Sequence, residues 1–290
     1  MKHAFLILTH NEFDVLTKLV SVLDDEKNGI FIHYDKKVKT LATFCTNLSP
    51  CVILKNRIHG YWGDFSLVKM ELELLKCAFT KGDYDFFHII SGVHYPLTPM
   101  SELHRIYEVE NKCLFQQLHT DEEEVSVRMG KYHFFNKMMM SYQFGSLGYK
   151  VGRLLWNCTL KIQKILKIQR NEGVRFYKSS QWCTLTRTAV DYILSKDQEI
   201  KKRYSNTFCP DEYVLLSELM NSPLKEQIAI KENILKQDWI STHPKVYKME
   251  DFDELMTSGC LYARKFSRES LDLLCRIDDY LHCCPEKFLP

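Results

Sequence analysis

The chain has 290 residues, 45% of them hydrophobic and 26% charged, which suffices for one large domain or two small ones with a sizeable core. Its formal net charge is only +2, whereas nucleic-acid-binding domains usually carry a large excess of basic residues. Nucleic acid is therefore not an expected partner. No apolar run approaches the roughly 20 residues that a membrane-spanning helix needs.

The eleven cysteines are irregularly spaced, with no CxxC pair and no matched histidine. This pattern argues against a zinc site and for reduced, partly buried thiols. An apolar run at residues 4–8 follows Met1 with no signal-peptide cleavage region. From these features we expect a cytoplasmic protein.

Strand-like and helical segments alternate in the first hundred residues. Apolar runs at 5–8, 30–32, 51–54 and 86–90 predict four strands, and an amphipathic pattern predicts a helix over 66–79. Another helix should follow Asn11 or Asp14 as its cap. Such alternation predicts the α/β class, a central, mostly parallel sheet flanked by helices, with ligands bound beyond the carboxyl ends of its strands.

The second half is less regular. It offers a strand at 181–185, a helix from Thr188, and a helix opening at Pro210 with two acids in its first turn, Asp211 and Glu212. Carboxylates at such a position usually compensate the helix dipole. The alternative is that one of them is a general base.

Two Asp-x-Asp triplets could hold a metal on a sugar nucleotide. Asp83-Tyr84-Asp85 precedes the fourth strand and lies at the wrong end of the sheet, and Asp251-Phe252-Asp253 has the pattern of an acidic helix start. The position just past the fourth strand reads Ser91-Gly92-Val93, which offers no carboxylate oxygen. We therefore expect no metal and no other cofactor.

Without a metal, cations must neutralise a diphosphate. Arg264 and Lys265, in an aromatic setting, can bind phosphate oxygens, although the pair alone also fits a solvated surface. Trp62 and Trp182 are similarly ambiguous, since each can be a packing residue or a platform for a base or sugar.

The order of these segments resembles the core-2/I-branching β-1,6-N-acetylglucosaminyltransferase family, which includes peptide O-xylosyltransferases. The match runs over nearly the whole chain, and the compact length is similar to that of bacterial members. The matching stretches are AFLILTHN (4–11), IFIHYDKK (30–37), WGDFSLVKMELELL (62–75), YDFFHIISGVHYPL (84–97), SSQWCTLTR (179–187), FCPDEYVLLSELMNS (208–222), Asp238-Trp239 and LYARKF (261–266).

The resemblance implies a GT-A-like fold with an irregular C-terminal part closing the donor site, a UDP-sugar donor and no metal. It implies one domain over 1–290, with a nucleotide-binding part at 1–100 and an acceptor-binding and catalytic part at 101–290. Glu212 is the expected catalytic base. The expected donor-binding residues are Asp35 and Trp62 at the uridine and Arg264 and Lys265 at the diphosphate. The candidate acceptor-binding residues are Arg128, Lys131, Trp182 and Asp211.

The chain departs from the family at two positions. Val93-His94 stands where Gln-Asp is common, and Lys236 stands where an arginine often precedes Asp-Trp. We expect inverting transfer of GlcNAc from UDP-GlcNAc to a hydroxyl of a glycan acceptor. UDP-xylose is the alternative donor, and a catalytically inactive glycan-binding module is the alternative class. A glycoside hydrolase is disfavoured, because it normally needs two carboxylates flanking one bond.

Residues 149–170 mix six lysines and arginines with apolar residues and contain no acid. Such a segment predicts either a helix on an anionic membrane, with its Trp/Leu face in the lipid, or a helix packed on the domain with its lysines in water. We favour peripheral contact with the inner membrane, where the glycan acceptor would be lipid-linked.

Overall fold

A computed structural model of the chain describes residues 1–241 and 243–283. Its strands are β1 (His3–Thr9), β2 (Asn28–Tyr34), β3 (Cys51–Ile53), β4 (Phe86–Ser91), β5 (Tyr95–Pro96), β6 (Cys113–Phe115), β7 (Cys183–Thr186), β8 (Ile228–Ile230), β9 (Leu235–Lys236), β10 (Trp239–Ile240), β11 (His243–Pro244) and β12 (Tyr262–Ala263). Its α-helices are α1 (Phe13–Val22), α2 (Ser66–Lys81), α3 (Met100–Glu110), α4 (Glu122–Arg128), α5 (Asn136–Met140), α6 (Leu147–Ile165), α7 (Arg187–Ser195), α8 (Asp197–Tyr204), α9 (Val214–Met220), α10 (Phe252–Thr257) and α11 (Leu271–Cys283). Short 3₁₀ helices lie at Pro210–Glu212, Lys225–Gln227, Met249–Asp251 and Arg268–Ser270.

The central sheet has seven strands in the order β3-β2-β1-β4-β7-β6-β8. Among these strands β7 alone runs antiparallel to its neighbours, β4 and β6. The other pairs, β1 with β2 and β4, β2 with β3, and β6 with β8, are parallel. The predicted α/β class with a central, mostly parallel sheet is confirmed. Strands from 1–100 and from 101–290 complete the same sheet.

Helices cover both faces of the sheet, and alternate side chains of β1 point to opposite faces. Phe5 and Ile7 join a core with α1 and α11, whereas Leu6 and Leu8 join a second core with α2, α7 and α9. Burying one such side chain stabilises a fold by about 1.5–3 kcal/mol. A strand buried on both faces reads as the continuous apolar run seen in the sequence.

The four predicted strands of the first hundred residues are present, and the helix predicted over 66–79 extends to Lys81. The predicted cap of α1 was wrong. Glu12 occupies the cap position in a left-handed conformation, with φ of 54°. Its carboxylate accepts the backbone N–H of Arg268 at 2.7 Å, which ties the start of α1 to the C-terminal part.

The C-terminal part reaches the sheet through a three-stranded sheet in the order β5-β12-β9. Tyr262 pairs with Pro96, and the backbone N–H of Phe266 donates to Val93 O at 3.1 Å. These bonds carry the segment after β12 to the end of β4. No helix among residues 1–241 and 243–283 is long and apolar enough to cross a membrane.

Candidate active site

A cleft of about 330 Å³ lies beyond the carboxyl ends of β1, β2 and β4. Its wall includes residues that directly follow those strands, among them His10, Asp35 and Gly92. This is the edge at which parallel strands present ligand-binding loops, and it is the edge at which the sequence predicted bound ligands. Burial and the nearby charge of Lys37 lower the pKa of His10.

The antiparallel direction of β7 brings an additional segment to this edge. Because β7 runs opposite to β4, its beginning lies beside the end of β4, with Cys183 opposite Ile89. Gln181 and Trp182 immediately precede it and line the cleft. The strand predicted to begin at Gln181 begins at Cys183 in the structure, and Gln181 and Trp182 belong to the cleft instead.

The two candidate uridine residues both line the cleft. Asp35 is buried, and its carboxylate accepts the backbone N–H groups of Lys37 at 2.8 Å and Gly60 at 3.0 Å. Trp62 is 62% exposed and contacts Phe208 edge-on, with ring centroids 5.5 Å apart. A rigid carboxylate and an exposed indole are groups that can hydrogen-bond and stack on a nucleoside.

Arg264 and Lys265 follow β12 and form the opposite, cationic wall. The guanidinium of Arg264 lies over the Trp182 ring at 5.2 Å and donates to Gln237 Oε1 at 2.9 Å. Its buried Nε has no hydrogen-bond partner, and burial lowers its pKa to about 10. Among the described residues neither cation forms an ion pair with an acid, so both are available to an anionic ligand.

Glu212, the candidate base, belongs to a cluster of two carboxylates and two cations. Its Oε2 accepts Arg128 Nη1 at 2.7 Å and lies 3.8 Å from Lys178 Nζ. Both cations also contact Glu124, Arg128 through Nε at 3.1 Å and Lys178 at 2.7 Å. Paired cations hold the Glu212 carboxylate in one orientation, which a positioned general base requires.

Glu212 does not line the cleft, but its loop is bonded to the cleft rim. The backbone N–H of Cys209 donates to Gly63 O at 3.0 Å, and Gly63 adopts φ of 69°, a conformation that favours glycine. Glu212 O in turn accepts the backbone N–H of Ser179 at 2.8 Å. The carboxylate cluster is thus built between the Trp62–Gly63 turn and the start of β7.

Asp211 and Glu71 form a second acidic pair, which the hydrogen bond from Gln181 to Glu71 joins to the cleft wall. Burial and the charge of Glu212 raise the pKa of Asp211 to about 7. Glu71 is fully buried, and burial followed by the charge of Asp211 raises its pKa well above the usual range. Neither Asp211 Oδ1 nor Glu71 Oε2 has a hydrogen-bond partner among the described residues.

Of the four acceptor candidates, Arg128 lies beside Glu212, and Asp211 precedes it. Lys131 lies elsewhere, since its ammonium donates to Ile168 O and to Gln169 Oε1 at 2.9 Å. Trp182 lies in the cleft below Arg264, among the donor candidates. The acceptor roles of these residues stay predictions.

Sequence reasoning missed Lys178, Glu124, Glu71 and Gln181. Glu71 gave a signal, because it falls among the apolar positions of α2 between Val68 and Leu75, where an acid is unexpected. Lys178 gave none, since its proximity to Glu212 depends on pairing across the fold.

The Asp-x-Asp triplets lie where the sequence predicted. Asp83 pairs with Arg187 at 3.4 Å, and Asp85 accepts the backbone N–H of Lys2 at 2.7 Å, at the end of the sheet away from the cleft. Asp251 accepts the ammonium of Lys245 at 2.6 Å at the start of a helix. Within the part of the chain that the structure describes, no group of three or more His, Cys, Asp and Glu residues could hold a metal ion.

The sequence of the chain is similar to those of xylosyltransferases. It is 23% identical to xylosyltransferase 2 of Rattus norvegicus over 93% of this chain and 33% of that protein, and 22% identical to xylosyltransferase sqv-6 of Caenorhabditis elegans over 84% of this chain and 30% of that protein. It spans about one third of the length of these curated relatives. The crystal structure of mouse xyloside xylosyltransferase 1 in its apo form aligns with a TM-score of 0.39 and 10% identity, covering 90% of this chain and 96% of that one.

A family model settles the relationship that the motifs suggested. The model described as Core-2/I-Branching enzyme matches residues 3–257, most of the chain. This confirms the resemblance drawn from the sequence. The chain belongs to the Core-2/I-branching enzyme family of glycosyltransferases.

Proposed function

We propose that this protein transfers a sugar from a UDP-sugar to a hydroxyl of a glycan acceptor with inversion, GlcNAc being the first donor sugar to test. One observation carries the proposal: the cleft wall holds two cations, Arg264 and Lys265, that have no acidic partner among residues 1–241 and 243–283. A half-buried guanidinium without a counter-ion is costly unless a ligand supplies the anion. A diphosphate at a sheet's carboxyl edge fits that requirement.

In this proposal Glu212 accepts the proton of the acceptor hydroxyl as its oxygen attacks the anomeric carbon. The bond from that carbon to the diphosphate oxygen breaks on the opposite face, and UDP leaves. Arg264 and Lys265 stabilise the charge that develops on the diphosphate. Asp35 and Trp62 hold the uridine at the other end of the cleft.

UDP-xylose is the second donor. The curated relatives are named xylosyltransferases, whereas the motifs were matched to a family that also transfers GlcNAc. Because the chain spans only about a third of those relatives, their activity does not select the donor sugar of this protein.

Metal independence is part of the proposal. A metal motif just past β4 would need a carboxylate, and this chain has Ser91-Gly92-Val93 there. A Cβ added to Gly92 would lie 2.6 Å from Thr9 Oγ1, so the position leaves no room for an acidic side chain. The cationic wall supports the same inference, since it supplies positive charge at the diphosphate.

The test is transfer by wild type and Glu212→Gln from UDP-GlcNAc and from UDP-xylose onto a glycan array in excess EDTA, with products identified by mass spectrometry. We expect transfer by wild type and a loss of about 100- to 10,000-fold in the variant, the usual range for a general base. UDP affinity should be unchanged, because Glu212 lies outside the donor cleft.

Glu226→Gln is the matched control, since Glu226 is an exposed glutamate in a 3₁₀ helix away from the cluster. Near-normal turnover of Glu212→Gln would remove Glu212 from the mechanism. Activity abolished by EDTA and restored by manganese would contradict metal independence.

We also propose that α6 contacts an anionic membrane surface and that the acceptor is lipid-linked at the cytoplasmic face. Trp156 lies on the packed side of α6, where its Nε1 donates to His133 at 3.1 Å, so Trp156 does not belong to the exposed apolar face that the sequence predicted. The apolar side chains exposed along α6 are Leu147, Val151, Leu154, Leu155, Ile162 and Ile165.

Charge favours a lipid surface as the partner of this row. Residues 131–170 contain eight lysines and arginines and no aspartate or glutamate. Lys150, Arg153, Lys161 and Lys164 border the apolar row on the helix, and all four are exposed. An apolar strip beside a basic strip is the arrangement of helices that lie in the headgroup region of anionic bilayers.

A further inference from the structure

Gln181 and Glu71 form a partly buried hydrogen bond at the cleft wall. The side-chain amide of Gln181 donates through Nε2 to Glu71 Oε1 at 2.6 Å, and Gln181 lines the cleft. Among the described residues, no other protein group bonds to the side-chain amide of Gln181. Its carbonyl oxygen and second N–H are therefore available to a ligand, while the hydrogen bond to Glu71 fixes the orientation of the amide.

Glu71 is suited to holding the Gln181 amide in one orientation because its side chain is not accessible to solvent. Its side chain is fully buried in α2, its bonded partner is an amide, and the nearest charge acting on it is that of another acid, Asp211. Burial and this like charge raise the pKa of Glu71 well above the usual range, which favours a neutral carboxyl.

The segment 179–182 runs from the base to the cationic wall. At one end the backbone N–H of Ser179 donates to Glu212 O at 2.8 Å, and at the other end the ring of Trp182 lies under the guanidinium of Arg264 at 5.2 Å. Gln181 lies between them. In an inverting displacement the donor sugar also lies between the leaving diphosphate and the base that activates the acceptor.

We propose that Gln181 binds a hydroxyl of the donor sugar and that Glu71 is the positioning residue that orients it. The assignment rests on the proposed function, since it takes Arg264 as the diphosphate end and Glu212 as the acceptor end. An amide with a free carbonyl and a free N–H can both accept from and donate to sugar hydroxyls. The pair Glu71–Gln181 thus belongs to sugar recognition, apart from the residues that hold UDP.

The test is calorimetric binding of UDP, UDP-GlcNAc and UDP-xylose to wild type and Gln181→Leu. We expect Gln181→Leu to weaken the preferred UDP-sugar by about tenfold, as for the loss of one or two hydrogen bonds, and to leave UDP within about twofold. A purely structural role would change the affinities of UDP and UDP-sugar together.

Glu71→Leu should reproduce the selective loss, and Glu71→Gln should restore normal affinity, because the glutamine carbonyl can accept the same bond. The double variant Gln181→Leu/Glu71→Leu should lose no more than either single variant. If Glu71→Leu does not fold, Gln181→Leu and Glu71→Gln still give the comparison.

The outcomes separate this inference from the function on which it rests. UDP binding with an unchanged ratio of UDP-sugar to UDP affinity in Gln181→Leu would overturn the role of Gln181 alone. A wild-type protein that bound neither UDP nor UDP-sugar would overturn the proposed function as well.

Discussion

Arg264 is a half-buried guanidinium that has no acidic partner among the described residues. Its contacts are the Trp182 ring and Gln237 Oε1, and its Nε is buried and unbonded. Other lysines nearby are already neutralised, as Lys236 is by Asp238 at 3.0 Å and Glu254 at 2.8 Å. Unpaired positive charge is thus concentrated at one wall of the cleft.

Lys265→Ala tests that wall with little change in packing, because Arg264 carries the aromatic contact. We expect UDP affinity to fall by about tenfold or more while uridine affinity stays unchanged, since in the proposed function the ammonium contacts only the diphosphate. Calorimetry with both ligands measures the difference.

Lys36→Ala is the charge-matched control, because Lys36 is exposed, lies near Asp35 and does not line the cleft. Equal weakening of UDP and uridine in Lys265→Ala would contradict a diphosphate contact.

Asp211 gives the protein a pH-dependent stability. Its pKa is raised to about 7 in the fold, against 3.8 ordinarily, with burial as the main cause. Between about pH 4 and 7 the folded protein keeps a proton that the unfolded chain has released, so stability falls as pH rises through this window. Asp211→Asn should match wild type near pH 4 and exceed it at pH 8. Urea unfolding at both values measures this, and identical pH slopes for the two proteins would contradict it.

Several site residues could be predicted from the sequence, because they follow recognisable segments. Asp35 follows an apolar strand, and Arg264 and Lys265 lie in a short aromatic motif. Lys178 and Glu124 could not be predicted, because their contacts with Glu212 and Arg128 join segments far apart in the chain. Gln181 lies in a predicted strand that the structure begins two residues later.

At the scale of elements, the strands and helices that could be predicted from the sequence are those with a long apolar run or a clear amphipathic period. The strands at β1, β2 and β4 and the helix α2 each carry a long apolar or amphipathic pattern, and their positions were predicted within a few residues. The short strands β6, β9 and β12 have no readable period. Their existence depends on partners distant in sequence, as with Tyr262 opposite Pro96 and Leu235.

The sequence of α6 predicted an amphipathic helix but not which apolar side packs inward. Gln163 and Trp156 lie on the side of α6 that packs against the domain. The side-chain amide of Gln163 bonds to both the backbone N–H and the carbonyl of Tyr132, each at 2.8 Å. A glutamine is a weak sequence signal for a buried position. The exposed apolar row is therefore a result that only the fold provides.

Lys161/Lys164→Glu tests the membrane surface of α6. Neither lysine has an acidic partner within residues 1–241 and 243–283. Because a basic residue near an anionic surface contributes about 1 kcal/mol, we expect at least tenfold weaker binding of the variant to anionic vesicles at low salt. Co-sedimentation with anionic and neutral vesicles measures it, with added salt expected to release the wild type.

Lys201/Lys202→Glu in α8 is the control, since it changes the net charge equally at two exposed lysines that do not belong to α6. No binding of wild type to anionic vesicles at low salt would contradict the membrane proposal.

At the scale of the whole molecule, the sequence predicted the fold class and the edge of the sheet that holds the site. It did not predict that β7 reverses direction between β4 and β6. Strand direction depends on the path of the connection, here the long segment between β6 and β7 that contains α4, α5 and α6. That reversal is what brings Gln181 and Trp182 to the cleft.

Both edges of the central sheet end in strands of three residues, β3 and β8. Short edge strands offer few unpaired backbone groups to another chain, and Lys231 directly after β8 adds a charge there. Aggregation by strand addition is therefore disfavoured at either edge. In a concentrated solution without lipid or detergent, we expect the exposed apolar row of α6 to lower the solubility of the protein.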